Sequence, residues 1–193
     1  MLILASGSKA RLQLLNSVGI YPDKIIQTET DETIHKNELP AEYVNRVAIK
    51  KNNNVEKEIG DFVLSADTVI VVGRRIINKP KDSNEAGKFL DLLSGRRHKV
   101  MTCVCLYAEG KYYSKLIKTT LRMKRLSDLE KKHYLMSEEW RGRSGGYAIQ
   151  GKAAYFFPFI SGSYSNIVGL PLTETVGLLT GVGFMHNFSC PSG

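Results

Sequence analysis

With 193 residues the chain can bury a sizeable core and fits one domain, or one domain with two lobes. Lys and Arg outnumber Asp and Glu by 27 to 19, a formal charge of +8 that suits nucleic acid or a polyanionic small substrate without choosing between them. Three cysteines at positions 103, 105 and 190 have neither framework nor zinc spacing, which argues against a disulfide scaffold and a structural metal, and no apolar stretch approaches the roughly 18 residues of a spanning helix.

The chain opens on an apolar run, Met1 to Leu4, that reads as a strand feeding Ala5-Ser6-Gly7-Ser8-Lys9-Ala10-Arg11 and then an amphipathic helix to Val18. The apolar run is too short for a signal peptide and lacks a basic n-region, so the cytoplasm is the expected location. A tight Ser/Gly loop opening a helix leaves backbone N–H groups unpaired where the dipole favours negative charge. With Ser8, Lys9 and Arg11 in the first turn, it is either a phosphate site or an ordinary cap.

Ile25 and Ile26 predict a short strand, and Thr28 to Thr33 a polar acidic loop. Pro40 introduces a helix to about Asn53 with Tyr43, Val44 and Val47 on its buried side. Phe62 to Val72 is a nearly continuous β-branched run, the pattern of a central strand covered on both faces. Ile76 to Asn78 pairs back across Gly73 and ends at Lys79-Pro80. Asp82-Ser83-Asn84-Glu85 reads as a capping box for a helix carrying Phe89, Leu90 and Leu93, closed by Ser94-Gly95. Val100 to Ala108 and Tyr112 to Met123 form a hairpin about Glu109-Gly110-Lys111, and Ser127-Asp128-Leu129-Glu130 caps a helix to about Ser137. Arg141 to Gly151 is a glycine-spaced loop, either a cover for a ligand or a flexible connection. Ala153 to Ile167 reads as aromatic-rich strand and turn, and Pro171 as the first turn of a last helix, Leu172 to Leu179. From Ala153 on, Glu174 is the only formal charge, which places this stretch in a core or a subunit interface.

Asp67 is the second strong signal, because an ionised carboxylate in an apolar strand is costly without cations, metal or hydrogen bonds. It is either catalytic or satisfied at a bulge by Ser65 or Thr68. The hairpin across Gly73 returns Lys79 toward the strand end bearing Asp67. Asp31 and Glu32 offer oxygen ligands of the kind Mg²⁺ takes with substrate phosphates, or are two solvated loop acids. Lys51 follows Arg46 and Lys50 on a helix and is either a phosphate contact or part of a solvated charged face. The basic cluster Arg96-Arg97-His98-Lys99 follows a helix end and has no aromatic stacking pattern, so no nucleic-acid partner is expected from it. His35, His133 and His186 lack ligand spacing and a neighbouring nucleophile.

The ordered motifs Leu4-Ala5-Ser6-Gly7-Ser8 with Arg11 and Leu14-Leu15, Asp31-Glu32, Lys51, Ala66-Asp67-Thr68-Val69, Lys79-Pro80, Leu93-Ser94-Gly95-Arg96 with His98-Lys99-Val100, Gly146-Tyr147-Ala148-Ile149-Gln150-Gly151, and Val168-Gly169-Leu170-Pro171 run over essentially the whole chain. Together they resemble the Maf family of nucleoside triphosphate pyrophosphatases. The resemblance implies one α/β Maf-like domain over residues 1–193 without a separable second domain. It implies a two-lobed fold similar to inosine triphosphate pyrophosphatases, with a central twisted mixed sheet and a cleft between lobes, and a homodimer; the residues themselves lead to no expected membrane partner or specific nucleic-acid partner. It implies hydrolysis of a nucleoside triphosphate to monophosphate and pyrophosphate with Mg²⁺ or Mn²⁺.

Carried over by motif, Asp67 matches the general base; Ser8, Arg11, Lys51 and Lys79 match triphosphate positions; Glu32 matches an acidic position near the metal, which Asp67 also helps hold. Arg11, Thr68 and Gln150 match positions of base selection, and Thr68 with Tyr147-Ala148-Ile149-Gln150 is similar to the branch acting on dTTP and UTP. The family's common Ser-Pro-Arg-Arg is here Ser8-Lys9-Ala10-Arg11, so one guanidinium is missing at Ala10. The alternative reading is a non-catalytic nucleotide sensor that influences cell division.

Overall fold

The computed structural model describes residues 1–184, so Cys190 and His186 lie outside the described residues. The elements in order are β1 (Leu2–Leu4), α1 (Lys9–Asn16), β2 (Lys24–Ile25), α2 (Pro40–Asn53), β3 (Phe62–Val72), β4 (Arg75–Ile77) and α3 (Ser83–Leu93). They continue with β5 (Arg97–Ala108), β6 (Lys111–Arg122), α4 (Asp128–Met136), β7 (Phe159–Ser161), α5 (Tyr164–Val168) and α6 (Leu172–Gly181). The strands form a seven-stranded mixed sheet in the order β2-β1-β3-β5-β6-β7, with β4 added to β3. β1 is parallel to β2 and β3, in register Leu2 with Phe62 and Leu4 with Leu64, while β4 runs antiparallel to β3 with Ile70 opposite Ile77.

Among the described residues the chain divides into two compact units, one made of Met1–Asp67, Thr102–Ile117 and residues 169–184, the other of Thr68–Met101 and Lys118–Val168. In the first unit the alternation of a strand explains the burial. Leu2, Leu4, Leu64 and Ala66 share one face and pack with Leu15, Leu170 and Leu179, whereas Ile3, Ala5 and Val63 share the other. On that second face the Ser65 hydroxyl donates to Ala48 O and the Asn52 amide to Val63 O, which ties α2 to β3. Helices therefore cover both faces, as the unbroken apolar run of β3 requires. Each fully buried Leu or Val there contributes on the order of 2 kcal/mol.

The core of the second unit gathers Ile70, Ile77, Phe89, Leu90, Leu93, Val100, Leu121, Trp140 and Phe156. The Asp82 carboxylate caps α3 by accepting from Glu85 N at 2.8 Å, but Glu85 accepts from Lys81 N and not from Asp82 N, so the expected capping box is half made. The box at Ser127 and Glu130 is reciprocal. β5 starts at Arg97, earlier than the apolar pattern indicates, and takes up most of the basic cluster: Arg97 and Lys99 face outward while His98 and Val100 are buried.

Ala153 to Ile167 is helical turn as well as strand, with a 3₁₀ turn over Lys152–Phe156, β7, and α5 started by Ser163 Oγ accepting from Asn166 N. That stretch contributes Ala153 and Phe156 to the core but leaves Tyr155, Ile160 and Tyr164 exposed. Pro171 caps α6 from just outside its first turn. Cys103 and Cys105 are free and buried, their thiols pushed up to about 12 and about 11 by burial, which makes them packing groups rather than nucleophiles. Among the described residues no helix is long and apolar enough to cross a membrane.

Candidate active site

β3 runs unbroken through Asp67, which is almost fully buried on the face turned to α2. Of the two partners expected from the sequence, Ser65 does not satisfy it at a bulge. The Ser65 hydroxyl is committed to Ala48 O, and what Asp67 finds is Lys51, two helical turns beyond Val44 on α2, with Nζ 2.7 Å from Oδ1. Burial pushes the Asp67 carboxyl above the usual carboxylate range, and the positive charges of Lys51 and Arg11 only partly oppose that rise. A carboxylate held ionised against its environment accepts a proton more readily than an exposed one.

Lys51 also lies 2.7 Å from Oε1 of Glu32, so one ammonium joins two carboxylates. Glu32 comes from the polar loop before α2, and that loop is fastened to the helix. The Tyr43 hydroxyl donates to Glu32 O at 3.0 Å, and Arg46 donates to Thr33 O while forking onto Glu38 at 2.6 and 2.8 Å. The Arg46 guanidinium holds the Glu38 carboxyl down at about 2. Glu32 is thus paired, while Asp31 stays exposed and accepts from Thr33 N. Tyr43 and Arg46 were not legible as part of a site: one reads as the apolar side of a helix and the other as a solvated charge.

At the start of α1 the capping reading is realised. Ser8 Oγ accepts from Arg11 N at 3.4 Å. The Arg11 side chain turns inward, with Nε donating to Gly169 O at 2.8 Å and Nη1 to Ser6 Oγ at 2.9 Å. Burial lowers its proton affinity, opposed by Asp67 and Glu32, and a guanidinium remains charged under those conditions. The first unit therefore brings Arg11, Glu32, Lys51 and Asp67 into one electrostatic group, with Ser8 on the same turn as Arg11. Ala10 is buried and Lys9 exposed, so the lysine points away from the direction in which position 10 faces.

Thr68, Lys79 and Gln150 belong to the second unit. By strand alternation Thr68 lies on the face of β3 opposite Asp67, and its carbonyl accepts from Ser144 Oγ at 3.3 Å. Lys79 is exposed just beyond β4, and Gly145 N donates to Asn78 O beside it. Gln150 is exposed after buried Tyr147 and Ile149. The glycine-spaced segment is therefore bonded to the strands that carry Thr68 and lead to Lys79. Gly145 has φ 71°, and a Cβ there would stand 2.5 Å from Ile70 Cδ1, so this close approach needs glycine.

Among the described residues no group of three or more His, Cys, Asp or Glu could hold a metal ion unaided. Two carboxylates sharing one ammonium are nonetheless a donor set that suits Mg²⁺, which commonly takes one or two carboxylates and completes its shell with substrate phosphates and water.

The Maf-like protein family profile matches residues 1–182. The dTTP/UTP pyrophosphatase of Roseobacter denitrificans is 48% identical over 184 residues, covering 95% of this chain and 98% of its own. Proteins of the same name from Ruegeria sp. and from Rhodopseudomonas palustris are each 49% identical, over 94% and 97% of this chain and 94% of their own. Among solved structures, the Staphylococcus aureus Ham1 protein aligns at 17% identity with a TM-score of 0.44, over 66% of this chain and 72% of that one. With its motifs in order and a match that spans all but the last residues, the chain belongs to the Maf-like protein family.

Proposed function

We propose that this chain hydrolyses a pyrimidine nucleoside triphosphate, dTTP or UTP, to the monophosphate and pyrophosphate. The observation that carries the reading is the buried Asp67 carboxylate, paired with Lys51 at 2.7 Å and pushed up by burial. The names of the relatives, dTTP/UTP pyrophosphatase at 48 to 49% identity, support the substrate.

In this reading Asp67 takes a proton from the water that attacks the α-phosphorus, and pyrophosphate leaves with its charge offset by Arg11, Lys51 and Lys79. Ser8 adds a hydroxyl to the triphosphate end, and Thr68 and Gln150 select the base. Glu32 and Asp67 are the residues that would hold Mg²⁺ or Mn²⁺, which supplies charge neutralisation on the phosphates when bound. The two compact units act as one Maf-like domain, since β3, β5 and β6 each contribute residues to both. The protein works as a homodimer, as its family resemblance implies, in the cytoplasm and without a specific nucleic-acid partner.

Turnover of dTTP, UTP, CTP, dGTP and ATP with Mg²⁺, followed by pyrophosphate release, tests the reading. Expected is release from dTTP and UTP well above the others. Nucleotide binding without turnover would return the chain to the sensor reading.

A further inference from the structure

The motif Leu93-Ser94-Gly95-Arg96 with His98-Lys99-Val100 contributes nothing to the group around Asp67, yet one of its members is buried for a reason. His98, on β5, is 2% exposed, and its Nε2 lies 2.8 Å from the hydroxyl of Tyr147, itself 5% exposed. Both rings pack on Phe157, at centroid distances of 5.9 and 4.7 Å. His98 Nδ1 is buried without a hydrogen-bond partner, so the imidazole is tolerated in the core for what Nε2 holds. Burial lowers its proton affinity to about 4, which keeps the ring neutral.

Tyr147 begins the run that ends at Gln150. Ala148 N, next along, donates to the Tyr134 hydroxyl at 2.9 Å, and Ile149 is buried, so consecutive anchors leave Gln150 as the residue turned out. Before Tyr147, Ser144 donates to Thr68 O and Gly145 N to Asn78 O. The segment is thus held by Thr68 O and Asn78 O before Tyr147, and by the buried His98 ring and Tyr134 hydroxyl at Tyr147 and Ala148.

We infer that His98 and Tyr147 are positioning residues for base selection: their buried hydrogen bond sets the height and direction of Gln150 and so holds the amide that reads the nucleotide's base. This rests on the proposed pyrophosphatase reading, and it adds residues that touch neither phosphate nor metal. A polar pair in a core can fix one arrangement of a segment where apolar packing alone tolerates several, because any shift leaves both groups unpaired.

The experiment compares Tyr147→Phe, His98→Leu and His98→Gln with the wild type, using the ratio of kcat/KM for dTTP to that for CTP, together with amide hydrogen exchange over residues 144–151. Tyr147→Phe keeps the ring and removes only the hydroxyl. It and His98→Leu are expected to lower the ratio about tenfold, approaching Gln150→Ala, with kcat on CTP little changed and exchange over the segment faster. His98→Gln, whose amide reaches where Nε2 stands, restores most of the ratio. An unchanged ratio in folded Tyr147→Phe and His98→Leu overturns the inference, whether or not exchange rises. So does a fall in activity on both nucleotides in parallel with a lowered Tm, which is loss of structure rather than of positioning. A wild-type chain that turns over no triphosphate removes the reading on which the inference stands, a result distinct from an active wild type whose variants keep its selectivity.

Discussion

The ammonium of Lys51 is shared between Asp67 and Glu32 at 2.7 Å each, but the two carboxylates are not equivalent. The Asp67 side chain is 9% exposed and that of Glu32 40%, so the pair with Asp67 is a desolvated one and the pair with Glu32 half in water. An exposed pair is worth little, whereas removing one partner of a buried pair leaves an uncompensated charge and costs several kcal/mol, on the order of 3 to 5. Lys51 therefore acts chiefly on Asp67.

Replacing Lys51 by Met is expected to raise the acid limb of the pH profile. Burial lifts the Asp67 carboxyl and Lys51 is the largest influence opposing it, so without the ammonium the carboxyl rises further. A general base works only when ionised, and activity then fails at a higher pH than in the wild type. Profiles of kcat/KM against pH for both proteins check this. A limb that stays in place while only its height changes would detach Asp67 from that ionisation.

Asp67→Asn is expected to lower kcat on the order of a hundredfold or more while nucleotide binding persists, since the amide keeps the shape but accepts no proton. Stability gives a second, independent sign. The folded carboxyl lies above its ordinary 3.8, so the stability it contributes is full below about that pH and is lost as pH rises through the folded value. From acid to neutral pH the balance should move in favour of the Asn variant. Urea unfolding of both proteins at two pH values measures it, and a gap independent of pH contradicts the raised carboxyl.

Much of this architecture can be read from the chain because local rules and burial agree. Phe62–Val72 and Pro40–Asn53 take the bounds that their apolar periodicity and Pro40 indicate, and β3 is flanked by β1 and β5 as its two-sided burial requires. What stayed hidden depends on contacts far apart in sequence. Nothing local shows that Lys51 rather than Ser65 satisfies Asp67, or that Tyr43 turns its hydroxyl to Glu32 O. His98 looks like one charge in a basic run because the run's lysine and arginines mask the alternation that buries it. The glycine-spaced segment looks open because glycines are counted as freedom, whereas Gly145 is there for a close approach to Ile70.

Gly145→Ala is expected to destabilise the chain by about 2 kcal/mol or more, from a left-handed backbone position and a Cβ thrust against Ile70 Cδ1 at 2.5 Å. Gly142 supplies the comparison, with φ 68° and nothing within 4 Å of its added Cβ. Gly142→Ala bears the conformational part alone, about 1 kcal/mol. Urea midpoints of the two variants separate backbone strain from packing. Equal costs at the two positions would show that Ile70 yields to the methyl group.

Which bond breaks follows from which end of the substrate the cations hold. In the proposed reading Arg11, Lys51 and Lys79 hold the distal phosphates, which then form the leaving group, while Gln150 and Thr68 hold the base and bring the α-phosphorus to Asp67. Hydrolysis of dTTP in ¹⁸O-labelled water is then expected to place the label in the monophosphate and none in pyrophosphate. Attack at the β-phosphorus yields the same two products with the label in pyrophosphate, and attack at the γ-phosphorus releases orthophosphate and a diphosphate. Mass spectrometry of the products distinguishes the three outcomes. Labelled pyrophosphate means that the triphosphate sits one phosphate out of register against Asp67, with the residues otherwise in their roles. Orthophosphate as the main product means that the buried carboxylate serves a different hydrolysis, and that the relatives' activity does not extend to this chain.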